Sequence, residues 1–143
     1  MLIQIKELLS QETVTHCRRL LTNATWADGK HTAGTQSEQV KNNQQLAENT
    51  DELPELRQII MQNLQRNGLL FSAALPKRVF PPLFNRYGGT SNSFGNHVDN
   101  AIRTIKGTSD HIRTDVSCTV FLSNPDEYEG GELVIEDTFG TNA

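Results

Sequence analysis

RTDVSCTVFLSNPDEYEGGELVIED, residues 113–137, is the stretch that decides the fold class. It is rich in β-branched and aromatic residues, and Asn, Pro, Asp and Gly divide it into short segments, a pattern typical of β-strands joined by turns. KRVFPPLFNRY, residues 77–87, has the same character. The chain after Leu75 is therefore predicted to consist of short strands.

The first 75 residues predict helices. LIQIKELL, residues 2–9, alternates apolar and polar residues and predicts a strand, after which Ser10 begins a helix that ends near Asn23. The clearest helix lies in residues 50–68, where Gly68 is placed to cap its end. Trp26 is expected to anchor the polar segment after the first helix to the core. The apolar positions at helical spacing are Val14, Cys17, Leu20 and Leu21 in the first helix and Leu53, Leu56, Ile59, Ile60 and Leu64 in the second.

Helices followed by an antiparallel β half indicate an α+β fold, a sandwich or jelly roll with the helices on one face. The β half holds four or five strands, about half of what a jelly roll needs. It ends at Ala143, just after a strand and a turn, which would leave an unpaired strand edge. We therefore expect a fold truncated before its last strands, and the open edge favours a homo-oligomer.

Composition narrows the functional classes. A net charge of -4 argues against a nucleic-acid partner. No stretch reaches the roughly 20 apolar residues of a membrane span, and the N-terminus lacks the pattern of a secretory signal. Cys17 and Cys118 have no metal or redox spacing and are expected to be buried, reduced thiols. A cytoplasmic protein fits these features.

His97 and Asp99 are the clearest candidates for a functional site. On a strand, side chains two positions apart share a face, so the pair would project together and Val98 would turn into the core. An imidazole and a carboxylate can hold two adjacent positions on one metal, and a third ligand would complete the 2-His-1-carboxylate site typical of non-haem Fe(II). Taken alone the spacing is weak, and a surface histidine beside a solvated aspartate is the alternative.

A family resemblance strengthens this interpretation. FNRYGGTSNSFGNHVDN, residues 84–100, together with residues 113–137, resembles the Fe(II)/2-oxoglutarate dioxygenases of the prolyl 4-hydroxylase type. ADGKHTAGTQSEQVKNNQQL, residues 27–46, resembles the N-terminal signature of the bacterial PKHD-type hydroxylases. The likeness covers essentially the whole chain. It implies a double-stranded β-helix, with residues 1–75 as helical support and residues 76–143 as the N-terminal part of the catalytic core.

The resemblance also implies roles for individual residues. His97 and Asp99 would bind iron together with a more distal histidine, and an Arg or Lys beyond it would bind 2-oxoglutarate. Both would lie beyond Ala143. His111 lies too close to Asp99 to match the position of the distal histidine and is interpreted as a surface residue. Neither His16 nor His31 is expected to take the place of that histidine.

Tyr87 lies ten positions before His97, as does a tyrosine in prolyl-hydroxylase relatives whose hydroxyl binds 2-oxoglutarate. A core tyrosine at the cavity edge is the alternative. In residues 119–121, Thr119 and Phe121 share one face of a predicted strand and Val120 the other, and one set would line the cavity. Lys41, Asn42 and Asn43 could face the substrate, although a polar surface turn is the favoured interpretation.

The activity implied is oxidative. Dioxygen and 2-oxoglutarate would be converted to carbon dioxide and succinate while an unidentified substrate is hydroxylated, with ascorbate keeping the iron reduced. If the chain truly ends at Ala143, a non-catalytic metal- or ligand-binding jelly-roll module is the alternative. We expect the 143-residue chain alone to bind iron poorly and to turn over little 2-oxoglutarate. A jelly roll that uses His97 and Asp99 for another divalent ion, in hydrolysis, would need a further ligand nearby.

Overall fold

The computed structural model describes residues 2–32, 37–138 and 140–142. Within these ranges the chain forms three α-helices, nine short strands and three short 3-10 turns, so the predicted mixed α+β class is confirmed. The helices are α1 (Gln11–Asn23), α2 (Leu53–Arg66) and α3 (Gly68–Ala74). The strands are β1 (Trp26–Asp28), β2 (Lys41–Asn42), β3 (Gln44–Leu46), β4 (Asn85–Arg86), β5 (Ser93–Phe94), β6 (Ile102–Thr104), β7 (His111–Arg113), β8 (Ile135–Asp137) and β9 (Gly140–Asn142).

Helix α1 begins and ends where the sequence predicts. Ser10 is its N-cap, and the Ser10 hydroxyl accepts a hydrogen bond from the backbone N–H of Thr13 at 3.2 Å. The strand predicted for residues 2–9 is wrong, because these residues form irregular backbone and turns. Glu7 has a φ of 54°, a left-handed conformation that cannot continue an extended strand.

Helix α2 confirms the predicted apolar stripe, but Gly68 does not cap it. The chain leaves α2 at Asn67, whose side chain accepts a hydrogen bond from the backbone N–H of Leu70 at 2.9 Å and so begins α3. Gly68 is the first residue of this second helix. No helix in the described part of the chain is long and apolar enough to cross a membrane.

The hydrophobic core lies between the helices and one strand segment. Its buried members come from α1, α2, β3 and the residues next to them: Leu9, Cys17, Leu46, Leu53, Leu56, Ile60, Leu64 and Phe84. Trp26 packs against this cluster, as predicted. Both cysteines are free thiols; Cys17 is buried, whereas the prediction that Cys118 is buried is wrong, because Cys118 is exposed.

The segment Lys41–Leu46 contributes strands to two small sheets. Its second half, β3, pairs antiparallel with β1 on one side and β4 on the other, and its first half, β2, pairs antiparallel with β5. Because β4 and β5 run in the same direction along this segment, residues 87–92 project from the sheet as a loop closed by a bridge between Gly88 and Ser91. Each of the two sheets thus joins strands from both sides of the predicted boundary at residue 75.

Residues 114–122 do not form the predicted strand. β7 ends at Arg113, and the backbone of this segment joins no ladder in the described ranges. Side-chain alternation nevertheless follows the prediction, because Val120 packs against the core while Phe121 is 54% exposed. The remaining ladders are the antiparallel pairs β6–β7 and β8–β9.

An ion pair connects the β half to the helices. The Arg18 guanidinium donates two hydrogen bonds of 2.7 Å to the carboxylate of Glu127, which lies 109 positions further along the chain. This hydrogen bonding lowers the pKa of Glu127 and raises that of Arg18. A carboxylate with a lowered pKa stabilises the folded state above its ordinary pKa, and that contribution disappears as the pH falls through the lowered value.

We therefore expect Glu127→Gln to lower the Tm at pH 7 but not at a pH well below the ordinary glutamate range. Thermal unfolding followed by circular dichroism at the two pH values measures this difference. Glu129→Gln is the matched control, because it removes the same charge two positions away. A loss of Tm that is equal at both pH values would contradict the ion-pair explanation.

Candidate metal centre

His97 and Asp99 lie close together just after β5. The imidazole Nε2 is 3.5 Å from Asp99 Oδ1, so the two potential ligand atoms face each other. They do not sit on a strand, because β5 ends at Phe94, and the prediction that Val98 turns into the core is wrong, since Val98 is 82% exposed. Without a paired strand, nothing forces the middle side chain toward the core.

The His97 ring is held by two contacts from residues just before it. Its Nδ1 lies 2.7 Å from the carbonyl oxygen of Gly95. A carbonyl can only accept, so Nδ1 carries the proton and the Nε2 lone pair is left for a metal. The ring also stacks on Phe94, with centroids 3.7 Å apart and an interplanar angle of 12°. The His97 side chain is 22% exposed and that of Asp99 62%.

These residues fit two adjacent positions of an iron site. With bonds of about 2.1 Å, two ligand atoms at right angles around a metal lie about 3 Å apart, so a separation of 3.5 Å needs only a small adjustment. Among the described residues, however, no group of three or more His, Cys, Asp and Glu side chains could hold a metal. The structure thus brings together two of the three ligands that the resemblance implies.

The other histidines are engaged elsewhere. His16 donates from Nε2 to Glu55 at 2.7 Å and accepts from Arg19 at 3.0 Å, which links α1 to α2. His111 is exposed, as predicted, and its Nδ1 lies 2.9 Å from the hydroxyl of Thr104. His31 is exposed in the 3-10 turn after β1.

Tyr87 lies at the base of the loop between β4 and β5. It is 49% exposed, which is compatible both with the role in binding 2-oxoglutarate and with the alternative of a tyrosine at the cavity edge. Partial burial raises the pKa of its hydroxyl, and a hydrogen bond from the Asn43 side chain acts in the opposite direction. The hydroxyl is therefore protonated at neutral pH and can donate to an anionic ligand.

Lys41, Asn43 and Gln45 form a buried polar face rather than a surface turn. Lys41 is 7% exposed and Asn43 and Gln45 are each 3% exposed, which overturns the favoured interpretation of this segment. The three residues alternate along the strand and so share a face. Asn42 points the other way, and its amide donates to the carbonyl of Thr90 at 2.6 Å.

Burial of the polar face changes the pKa of Lys41. Desolvation lowers the pKa of Lys41, the charge of Arg103 lowers it further, and Asp28 raises it. The ammonium lies 3.4 Å from Gln45 Oε1 and 5.4 Å from the centre of the Phe94 ring. The polar face therefore extends to the aromatic ring on which His97 stacks.

Asn43 has a close packing partner across the sheet. Gly29 donates its backbone N–H to the carbonyl of Asn43 at 3.0 Å, and a Cβ added at Gly29 would lie 1.9 Å from Asn43 Oδ1. Within the described ranges this Oδ1 is buried without a hydrogen-bond partner, whereas the amide nitrogen lies 3.4 Å from Asn85 Oδ1. Glycine at position 29 therefore leaves the space that the Asn43 side chain occupies.

Sequence reasoning missed Phe94, Gln45 and the role of Gly29. Residues 41–45 are all polar, so the sequence lacks the alternation of apolar and polar residues that would mark the shared face of Lys41, Asn43 and Gln45. The stack of Phe94 on His97 had no signal in the sequence either, because it depends on the path of the chain after β5. The contact of Gly29 with Asn43 depends on the pairing of β1 with β3.

Proteins with similar sequences identify the family that this chain resembles. No family model matches the chain. The chain is 57% identical over 140 residues to a PKHD-type hydroxylase of Variovorax paradoxus and 54% identical over 143 residues to one of Saccharophagus degradans. A PKHD-type hydroxylase of Bordetella pertussis is 53% identical over 140 residues.

These alignments include 98 to 100% of this chain but only 61 to 63% of the relatives, so the chain spans about three fifths of their length. The resemblance predicted from residues 27–46, 84–100 and 113–137 is thereby confirmed. The chain is a homologue of the bacterial PKHD-type hydroxylases over nearly all of its own length.

Proposed function

We propose that the full-length protein is an Fe(II)- and 2-oxoglutarate-dependent dioxygenase that hydroxylates an as yet unidentified substrate. The observation that carries the proposal is the approach of His97 Nε2 to within 3.5 Å of Asp99 Oδ1, with Nδ1 hydrogen-bonded so that Nε2 is free to bind a metal. Homologues at 50 to 57% identity are PKHD-type hydroxylases, which supports the same activity.

Iron and 2-oxoglutarate, when bound, supply the oxidation of an unactivated C–H bond by dioxygen, with succinate and carbon dioxide as co-products. The protein's residues hold and orient these groups. His97 and Asp99 would occupy two adjacent positions on the iron, and Gly95 and Phe94 fix the imidazole. A distal histidine and a basic residue for 2-oxoglutarate, both beyond Ala143, complete the proposed site, and ascorbate would keep the iron reduced.

We further propose that residues 76–143 are the N-terminal part of a double-stranded β-helix, with which the Lys41–Leu46 segment pairs through β4 and β5. Support comes from the two faces of this segment. Leu46 belongs to the hydrophobic core with the helices, whereas the alternate residues Lys41, Asn43 and Gln45 form the buried polar face. A polar surface inside a sheet, next to a pair of metal-ligand candidates, suits a polar cosubstrate better than it suits plain core packing.

Tyr87 is proposed to donate its hydroxyl hydrogen bond to 2-oxoglutarate, with Asn43 orienting the phenol. Tyr87→Phe in the full-length protein should then raise the KM for 2-oxoglutarate by about 10- to 150-fold, since a hydrogen bond to a charged group contributes about 1.5–3 kcal/mol. Steady-state succinate formation at varied 2-oxoglutarate measures this change. Tyr128→Phe is the control, and an unchanged KM in Tyr87→Phe would remove Tyr87 from the site.

The decisive experiment is succinate formation by the full-length protein. Purified protein is incubated with Fe(II), 2-oxoglutarate, ascorbate and air, with and without pools of amino acids, peptides and siderophore-like compounds. We expect succinate release that needs iron, and that rises when the pool contains the substrate. Iron binding without succinate release from any pool would instead support a non-catalytic ligand-binding module, which the two-ligand site of the described residues also permits.

A further inference from the structure

We propose that Phe94 is the residue that positions His97 for metal binding, an inference that rests on the proposed function. Phe94 would touch neither the proposed iron nor the substrate, because it acts through the imidazole of His97. The stack between the two rings is close and nearly parallel, with centroids 3.7 Å apart and planes 12° from each other.

The stack and one hydrogen bond together determine where Nε2 points. The Nδ1–H bond to the Gly95 carbonyl, at 2.7 Å, fixes one edge of the ring but still lets the ring rotate about that bond. Stacking against Phe94 fixes the plane of the ring and removes this freedom. With both contacts in place, Nε2 is held 3.5 Å from Asp99 Oδ1.

The sheet in turn holds Phe94. Phe94 pairs with Lys41 in the β2–β5 ladder, and the next residue, Gly95, donates its N–H to the carbonyl of Val40 at 2.9 Å. The Lys41 ammonium lies 5.4 Å from the centre of the Phe94 ring, within the range of a cation–π contact. The pairing of β5 with β2 therefore determines where the Phe94 ring lies, and this ring in turn positions the proposed iron ligand His97.

Close packing makes this register specific. A Cβ at Gly95 would lie 3.1 Å from the Cβ of Val40, next to β2, so a larger residue at position 95 would require Val40 to move by a few tenths of an ångström. The carbonyl that orients His97 thus belongs to a residue held tightly against the sheet. Partners that orient a metal ligand typically contribute a factor of about 10–100 to metal affinity, and we expect an effect of that size from Phe94.

The test is Fe(II) affinity of the full-length protein, measured by anaerobic isothermal titration without 2-oxoglutarate. Phe94→Leu should weaken Fe(II) binding by about 10- to 100-fold, and Phe94→Tyr, which keeps the ring, should restore it to within about threefold of the parent protein. The matched control is Phe80→Leu. Phe80 also stacks with a cation, since the Arg103 guanidinium lies 4.5 Å from its ring centre.

A second measurement reports the stack in metal-free protein. Ring currents of Phe94 should shift the His97 ring-proton signals upfield in the NMR spectrum, and Phe94→Leu should remove this shift while Phe94→Tyr keeps it. If Phe94→Leu fails to fold, Phe94→Met, which has a similar volume and no ring, replaces it in both experiments.

Unchanged Fe(II) affinity in a folded Phe94→Leu or Phe94→Met variant would overturn the proposal, as would an equal loss in Phe80→Leu. Loss of affinity in Phe94→Tyr equal to that in Phe94→Leu would also overturn it. Failure of the proposed function has a different signature, because the parent protein would then form no succinate from 2-oxoglutarate, whatever the NMR spectrum shows for His97 and Phe94.

Discussion

Replacing His97 or Asp99 with alanine in the full-length protein should reduce succinate formation from 2-oxoglutarate by at least about a thousandfold, because a bound metal contributes several kcal/mol to such chemistry and each 1.36 kcal/mol is a factor of ten. The fold should survive both changes. The two side chains lie outside the strands, and that of Asp99 is 62% exposed. Asp99→Ala should therefore change stability by no more than about 0.5 kcal/mol, and His97→Ala removes the Phe94 stack and the Gly95 hydrogen bond but no member of the hydrophobic core.

Two matched controls make this expectation specific. His111→Ala removes an exposed imidazole whose contact is the Thr104 hydroxyl, and Asp115→Ala removes an exposed carboxylate paired with Arg113 at 2.9 Å. Both variants should retain most of the turnover. Circular dichroism and thermal unfolding accompany the assay, and collapse of the fold in His97→Ala or Asp99→Ala would indicate a structural role for the pair instead of a catalytic one.

The helices could be predicted from the sequence because their determinants are local. Ser10 supplies the cap of α1, and the apolar stripe of α2 follows from the period of 3.6 residues alone. Strands were predicted less well, because a strand exists only where a partner lies beside it. Residues 2–9 and 114–122 have the composition of strands, yet neither segment pairs in the described part of the chain.

The candidate site could likewise be predicted from the sequence only where its determinants are local. The spacing of His97 and Asp99 and the position of Tyr87 were visible in the sequence, and the structure does bring the first two together. The prediction for Val98 failed because it assumed strand geometry where β5 has already ended. Phe94 and Gly29 act through contacts with residues that the fold brings beside them, so local spacing could not identify either of them.

Gly29→Ala should destabilise the full-length protein by about 1–3 kcal/mol, as expected when atoms are forced into a packed site. The new Cβ would lie 1.9 Å from Asn43 Oδ1 and 3.0 Å from the carbonyl oxygen of Asn43. The Asn43 side chain would have to rotate away, and its contacts with Asn85 and Tyr87 would be lost inside a buried face. Urea unfolding measures the change, and Gly68→Ala is the control, because a Cβ there meets nothing within 4 Å.

A double-mutant cycle with Asn43→Ala tests whether this collision is the cause. If it is, Gly29→Ala should be much less destabilising in the Asn43→Ala background, since the atom that it strikes is gone, and the coupling energy should be about 0.5–3 kcal/mol. The KM for 2-oxoglutarate should rise in Gly29→Ala, as is expected for Tyr87→Phe, because a displaced Asn43 would no longer orient the proposed 2-oxoglutarate donor Tyr87. Additive free energies in the cycle, or a Gly29→Ala variant as stable as Gly68→Ala, would mean that Asn43 accommodates the methyl group without leaving the polar face.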